Sequence, residues 1–509
     1  MDVTQILMLI TILVYLAAMV GIGAVLAKQN QTTDDFYLGG RTLGPLVTAM
    51  SAEASDMSSW LLMGLPGVAY LSGTADAAWT AIGLAIGTYV NWLVVAKRLR
   101  NYTHVCGNST TLPLFFSNRY RDNKRILSVI AALLIIIFFV PYTASGFAAC
   151  GKLFANLFGM DYLPAMLISA IVIVAYTTLG GFLAASTTDF VQSIVMTIAI
   201  VVVFGFGISK VGSFSAVMDN AKSMAGYFSL THTHDVATGT ASPYSLLQIF
   251  STLAWGLGYF GMPHVLLRFM AIGDANKLKL SRRVATVWVV ISMAVSVFIG
   301  VIGNAMTKAG VLPTLKDPET IILVVSDLIS KHGVLATIIA GLILAGILAA
   351  TMSTADSQLL AASSSASQNI LKEVFIKDMS EKTGMLIARI TVLVIALIGV
   401  FIARNPDSSV FQIVSFAWAG FGASFGPLVL LALFWKRSTF QGALCGMVSG
   451  GVMVFVWKFL IRPMGGALGI YELLPAFLLG LAVNVIVSLL TPAPSREVQD
   501  EFDKVASMK

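Results

Sequence analysis

Thirteen apolar runs recur between Ile6 and Leu490, each about 20 residues or longer, the length a helix needs to cross a ~30 Å hydrocarbon core. In lipid every backbone N–H and C=O must find an internal partner, so a chain of such runs folds as a bundle of helices. The runs are Ile6 to Ala27, Leu46 to Val68, Ala77 to Val95, Ile126 to Phe154, Pro164 to Gly181, Thr188 to Ile208, Leu246 to Ala271, Val284 to Met306, Gly333 to Ile370, Met385 to Ala403, Val410 to Trp435, Gly442 to Leu460 and Leu473 to Leu490. Over 509 residues, 57% hydrophobic and 11% charged content with a mean hydropathy of +0.86 excludes a soluble globule and a disordered chain. The expectation is an all-α polytopic membrane protein.

The first run has no basic segment before it and ends in Ala-Lys-Gln, so it reads as a retained span and not as a cleaved signal. Cys106, Cys150 and Cys445 are far apart and show no metal spacing, which reads as free thiols. A net charge of +7 could point to nucleic acid, but the basic residues sit at helix ends and therefore report topology. Lys97, Arg98, Arg100, Arg119, Arg121, Lys124 and Arg125 crowd the third connection. Lys277, Lys279, Arg282 and Arg283 follow the seventh run, and Lys372, Lys377, Lys382 and Arg389 follow the ninth. Alternating spans put all three on one side; the positive-inside rule makes it the cytoplasm, with the N-terminus outside and the C-terminal tail inside. The opposite side carries Gly212 to Ser242, where His232, Thr233, His234 and Asp235 read as a solvated turn, since two histidines lack a third placed ligand.

Two runs are interrupted. Ala52 to Pro66, AEASDMSSWLLMGLP, sets Glu53, Asp56 and serines where hydrocarbon is expected, and the seventh run carries Gly256, Gly258 and Gly261 before Pro263 and His264. A carboxylate near mid-bilayer costs about 2.5–3.5 kcal/mol on insertion scales, so it needs a partner or a job. Glycine costs about 1 kcal/mol and proline about 3 within a helix, which favours unwinding where the backbone turns to a ligand. The breaks are five spans apart, the pattern of an inverted repeat with a midplane site between its halves. Spans two to six (residues 46–210) and seven to eleven (246–435) would form a 5+5 core. Residues 1–45 hold the first span and its connection, 211–245 an outer loop, 436–491 two further spans and 492–509 a cytoplasmic tail.

Five ordered strings, LGGRTLGPLVTAMSAEASDMSSWLLMGLPG, PYTASGFAACGKLF, GGFLAASTTDFVQS, LAWGLGYFGMPHVLLRFMAI and ILAATMSTADSQLL, carry a resemblance. From about Asp35 to Arg437 the chain resembles the solute:sodium symporter family, most closely its sodium/proline branch. The resemblance implies an amino-acid/sodium-symporter-like core and a sodium site formed by Ala54, Met57 and Ala350 carbonyls with the Ser353 and Thr354 hydroxyls. Such oxygens suit a hard cation, although both hydroxyls could equally bond back to their own helix. By the same resemblance Asp56 supports the ion or solute. Asp189, Asp356 and Ser357 are the oxygens open to a second cation, with an N-cap role the plain alternative for Asp189, taken to open the sixth span. Ser58, Tyr142, Trp255, Tyr259 and Pro263 fall at solute-pocket positions.

Three positions depart from the branch: Glu53 and Ser59, where glycine is usual, and Met262, where glutamine is. Glu53 is expected to pair with a basic group such as Arg41 or to act as an ionic site near the cation path. The resemblance thus implies sodium-coupled import of a small amino acid, L-proline first, with sodium as co-transported ion, no organic cofactor and no nucleic-acid partner. The same fold carrying another amino acid, a sugar or a vitamin, or serving as a sensor, is the alternative. The chain shows no phosphate-binding GxxxxGK[ST] and no catalytic constellation that would read as an enzyme. Gly83 and Gly87 form a GxxxG that suits helix packing, within the chain or between copies; the sequence leaves the oligomeric state open.

Overall fold

The computed structural model describes residues 2–28, 32–376, 379–405 and 409–508; Lys377 of the third basic cluster lies outside them. Among the described residues ten helices are long and apolar enough to cross a membrane. The other three predicted runs are helical but short or broken, and each break has a local cause. Tyr162–Val211 is one helical segment bent at Gly181, whose φ of +63° only glycine adopts freely, so two predicted runs share it. The sixth span consequently starts at Gly181, and Asp189 lies inside a helix and is no N-cap.

The first broken helix starts with Pro45 in its opening turn and runs Pro45–Ser59. Ser58 takes φ +50°, ψ −171°, and the chain resumes through the wide turn Trp60–Gly64 into Leu65–Ser72. The second, Leu246–Leu253, begins in a box between Ser245 and Gln248, tightens to a 3₁₀ stretch over Ala254–Gly261, and restarts as Pro263–Ala271. Ser51, Asp56 and Trp60 of the first meet Arg268, Tyr259 and Trp255 of the second, so the two run antiparallel, and Leu43 exchanges backbone bonds with Ala271 and Gly273. Their middles meet where Trp60 and Trp255 lie 5.5 Å apart.

The Val334–Ser364 helix packs on Tyr162–Val211, on the first broken helix and on Ile126–Phe158. Gly83 and Gly87 let Thr74–Val90 approach the second broken helix. A β-carbon at Gly83 would lie 2.5 Å from the Leu253 carbonyl, and one at Gly87 2.4 Å from that of Gly256. The GxxxG therefore serves packing within the chain.

The basic connections meet at one end of the bundle. Lys97 donates to Asn276 (3.1 Å), Arg125 faces Glu373 (3.9 Å) and Arg121 pairs with Glu501 (2.9 Å) of the C-terminal helix Arg496–Ser507. Cys106 is buried there, and burial, with the Glu501 carboxylate beside it, pushes its thiol up to about 12, which keeps it unreactive. At the other end His232–His234 forms a strand paired with Ala241–Pro243. His234 Nδ1 meets the Ala225 carbonyl at 2.8 Å, while the Asp235 carboxylate accepts from the Ala237 and Thr238 backbone, which holds it below the usual carboxylate range.

That end is also latched by Glu319. Its carboxylate accepts from the Val410 and Phe411 N–H groups (3.1 and 3.0 Å) and from Ser409 Oγ (2.9 Å), capping the Val410–Phe434 helix, and pairs with Lys152 Nζ at 3.1 Å. Both charged side chains are under 10% exposed. Removing one partner of a buried pair costs about 3–5 kcal/mol, so Glu319→Gln is expected to lower the melting temperature in detergent by roughly 5 °C or more. Asp317→Asn, at the exposed edge of the cluster, is expected to shift it less; scanning fluorimetry on the purified variants checks both.

Candidate functional site

The unwound turn at Ser58 frees backbone carbonyls that a continuous helix would consume. Ser353 Oγ crosses from the Val334–Ser364 helix to donate to the Ala54 carbonyl at 2.9 Å and also lies 3.2 Å from the Ala350 carbonyl. Thr354 Oγ1 donates to the same Ala350 carbonyl at 3.1 Å. Four of the five expected sodium oxygens thus converge, and back-bonding within the helix coexists with the contact across it. Met57 is buried in the same break, its carbonyl accepting from the Trp60 N–H. Hydroxyls and carbonyls so arranged offer hard, neutral oxygens, which a monovalent cation can recruit by turning the hydroxyl lone pairs inward.

Between Ala54 and Met57, Asp56 lines a second space. Tyr259 Oη donates to Asp56 Oδ2 at 2.6 Å, and Tyr142 Oη to the Asp56 carbonyl at 3.1 Å. Asp56 Oδ1 has no hydrogen-bond partner. Asp56, Met57, Trp60, Leu84, Tyr142, Trp255, Val414 and Trp418 enclose a pocket closed down to about 10 Å³, room for roughly one water. Above it Trp255 stacks on Tyr471 at 5.0 Å and contacts Phe411 at 5.6 Å. Of the expected solute residues, Tyr142, Trp255 and Tyr259 line or flank this pocket. Ser58 accepts from the Trp60 N–H at 3.0 Å, so it shapes the break; Pro263 restarts the second helix one turn below Tyr259.

Glu53 and Arg41 are not partners. Glu53 Oε1 accepts from Trp92 Nε1 at 2.9 Å and its Oε2 is unpartnered. Arg41 instead binds the Met270 and Ser109 carbonyls (2.6 and 2.8 Å) and Asn108 Oδ1 (3.1 Å) beside the basic end. The expected ion pair fails because Arg41 follows Gly39 and Gly40 in a tight turn that precedes the helix, whereas Glu53 lies more than two turns inside it.

Asp189, Asp356 and Ser357 do come together, around a residue that sequence reading passed over. Arg268, 1% exposed, extends from Pro263–Ala271 to pair with Asp189 Oδ2 at 3.2 Å. Asp356 Oδ1 accepts from Ser357 Oγ at 3.1 Å. The signal was present: Arg268 is a charge in the apolar string PHVLLRFM, and the insertion cost that singles out Glu53 applies to it equally.

A profile described as the sodium:solute symporter family matches residues 36–450. The chain belongs to the sodium:solute symporter family. The osmoregulated proline transporter OpuE of Bacillus subtilis is 40% identical over 489 residues, 96% of each chain. The sodium/proline symporter of Escherichia coli is 41% identical over 500 residues, covering 97% of this chain and 95% of its own. Among solved structures, a Na⁺-coupled sialic acid symporter in a substrate-bound outward-open state superposes with a TM-score of 0.79 at 19% identity, over 96% of this chain and 99% of its own. MhsT in complex with L-phenylalanine superposes at 0.54 and 12% identity, over 88% and 99%. The protein is thus a multi-pass membrane transporter and not an enzyme, and its fold is shared with these solved structures. Because Gly87 sets the approach of the second break, Gly87→Ala is expected to lower solute uptake about tenfold or more at equal membrane expression, the result of forcing a methyl against backbone; filter uptake on matched membranes measures it.

Proposed function

We propose that the chain imports a small amino acid, L-proline first, against its gradient by coupling it to inward sodium flow through alternating access. The observation that carries this reading is the Ser353 contact with the Ala54 carbonyl, which brings hard oxygens of two helices to the one place where a helix is unwound. The names of the OpuE and Escherichia coli relatives supply the solute. In this reading Ala54, Met57, Ala350, Ser353 and Thr354 hold the sodium ion. Asp56, with Tyr142, Trp255 and Tyr259, receives the solute's ammonium and ring, while Ser58 and Pro263 shape the two breaks around it.

The same reading takes thirteen spans, with spans two to six and seven to eleven as inverted repeats. The antiparallel course of the two broken helices supports the inversion. The meeting of basic loops at one end supports a cytoplasmic face there, with the N-terminus outside and the C-terminus inside. Each sodium crossing at 100 mV supplies about 2.3 kcal/mol, enough for a roughly fiftyfold solute gradient.

Glu53 Oε2, buried and unpartnered next to Asp56, favours a second reading in which the same cycle carries a solute with an additional donor group. The test is reconstitution of the purified protein and comparison of radiolabelled proline with other amino acids, sugars and vitamins. The expected result is saturable proline uptake that disappears when choline replaces sodium. Sodium-independent flux without saturation sinks the symport reading, and saturable uptake of another solute alone replaces proline.

A further inference from the structure

We propose that a cavity at the basic end of the bundle holds the headgroup of an anionic phospholipid, at a site separate from the sodium and solute path. The inference needs the bilayer and neither cargo nor ion. The cavity measures about 850 Å³. On one side the third connection contributes Lys124 and Arg125; on the other, the wide-turned stretch Ser365–Phe375 that ends the ninth span contributes Lys372 and Glu373. Two basic clusters that lie far apart in sequence therefore share one space. Among the described lining residues, Lys124, Arg125 and Lys372 outnumber the carboxylates Asp34 and Glu373. Arg125 Nη1 donates to Asn118 Oδ1 at 2.8 Å and its Nε faces Glu373 at 3.9 Å, while Asp34 lies in the field of Arg41. Lys124 and Lys372 carry the positive charge that is left.

Charge alone would suit many anions, and the rim narrows the choice. Val374, Phe375 and Ile376 are 44%, 71% and 42% exposed, an apolar patch at the point where the membrane-spanning stretch Val334–Phe375 ends. Val374 also lines the cavity. A ligand that offers phosphate to the lysines and hydrocarbon to the patch is a phospholipid, and basic pockets between spans on the cytoplasmic side suit anionic headgroups. Asn369, which lines the same cavity, is 1% exposed; its Nδ2 donates to Thr111 Oγ1 at 3.0 Å and its Oδ1 has no partner. That acceptor fits a headgroup hydroxyl, as glycerol carries. A lipid held there ties the third connection to the helix that bears Ser353 and Thr354.

The experiment titrates the purified full chain in detergent with dioleoyl phosphatidylglycerol or dioleoyl phosphatidylcholine and counts bound lipid by native mass spectrometry. The wild type is expected to retain one phosphatidylglycerol well before any phosphatidylcholine. Lys124→Gln combined with Lys372→Gln is expected to need roughly thirtyfold more phosphatidylglycerol, the loss of two lysines' attraction. Lys277→Gln combined with Lys279→Gln removes the same charge from exposed positions outside the cavity and is expected to bind as the wild type does. Phosphatidylglycerol should also raise the melting temperature of the wild type and leave that of the Lys124 and Lys372 double variant unchanged. Should that variant not fold, Lys124→Gln alone, at an exposed turn, is titrated, with about fivefold weakening expected. Equal retention of the two lipids overturns the proposal, as does equal weakening by both double variants. Displacement of the lipid by inorganic phosphate at the same concentration overturns it too, and makes the cavity a site for the free anion.

Discussion

Ser353→Ala is expected to raise the sodium concentration for half-maximal uptake by about tenfold or more, while uptake at saturating sodium falls far less. The hydroxyl links the Val334–Ser364 helix to the carbonyl of Ala54 in the broken helix at 2.9 Å. Its removal deletes one neutral oxygen from the proposed cation shell and leaves a buried carbonyl without its cross-helix donor. Hydrogen bonds to charged groups contribute about 1.5–3 kcal/mol, which corresponds to roughly ten- to hundredfold in affinity. Thr354→Ala should act in the same direction. Its hydroxyl reaches only Ala350 on its own helix, so the effect through helix docking is absent and the comparison isolates coordination. Initial uptake rates against sodium concentration measure both, and a Ser353→Ala curve superimposable on the wild type would remove the hydroxyl from the site.

The second large effect is expected at Asp56. Asp56→Asn keeps the size of the side chain and an acceptor for Tyr259, yet it is expected to cut uptake about a hundredfold or more at equal expression, because charge-assisted bonds are roughly twice as strong as neutral ones. Among the residues lining the pocket, Asp56 is the one charged group. In the proposed reading the cargo brings the opposite charge, as an ammonium or a sodium ion. Tyr259→Phe removes the 2.6 Å bond and leaves the charge, and is expected to cost less than tenfold. Asp56→Asn within threefold of the wild type would exclude it from cargo binding.

Much of this was legible in the sequence because membranes make the cost of polarity visible. Each predicted run coincides with a helical segment, and both breaks fall where serines, glycines and prolines interrupt hydrocarbon. The gathering of Ala54, Ala350, Ser353 and Thr354 followed from resemblance, since residues 300 apart cannot be paired by periodicity. What stayed hidden depends on distance in space. Glu53 found the indole of Trp92 and no cation, and the aromatic cover over the pocket draws Phe411 from a span whose sequence reads as plain membrane helix and Tyr471 from the connection before the last one. Arg268 was visible as a charge in an apolar string, but only the fold brings Ser51, Asp189 and Ser357 to it.

The tightness of the space beside Asp56 bears on how an idle copy behaves. With room for about one water, the chamber holds no continuous file of solvent along which ions or protons could pass. A transporter resting in this shape therefore offers no open path through that chamber. The ion gradient is drawn down only when the two breaks separate to admit cargo.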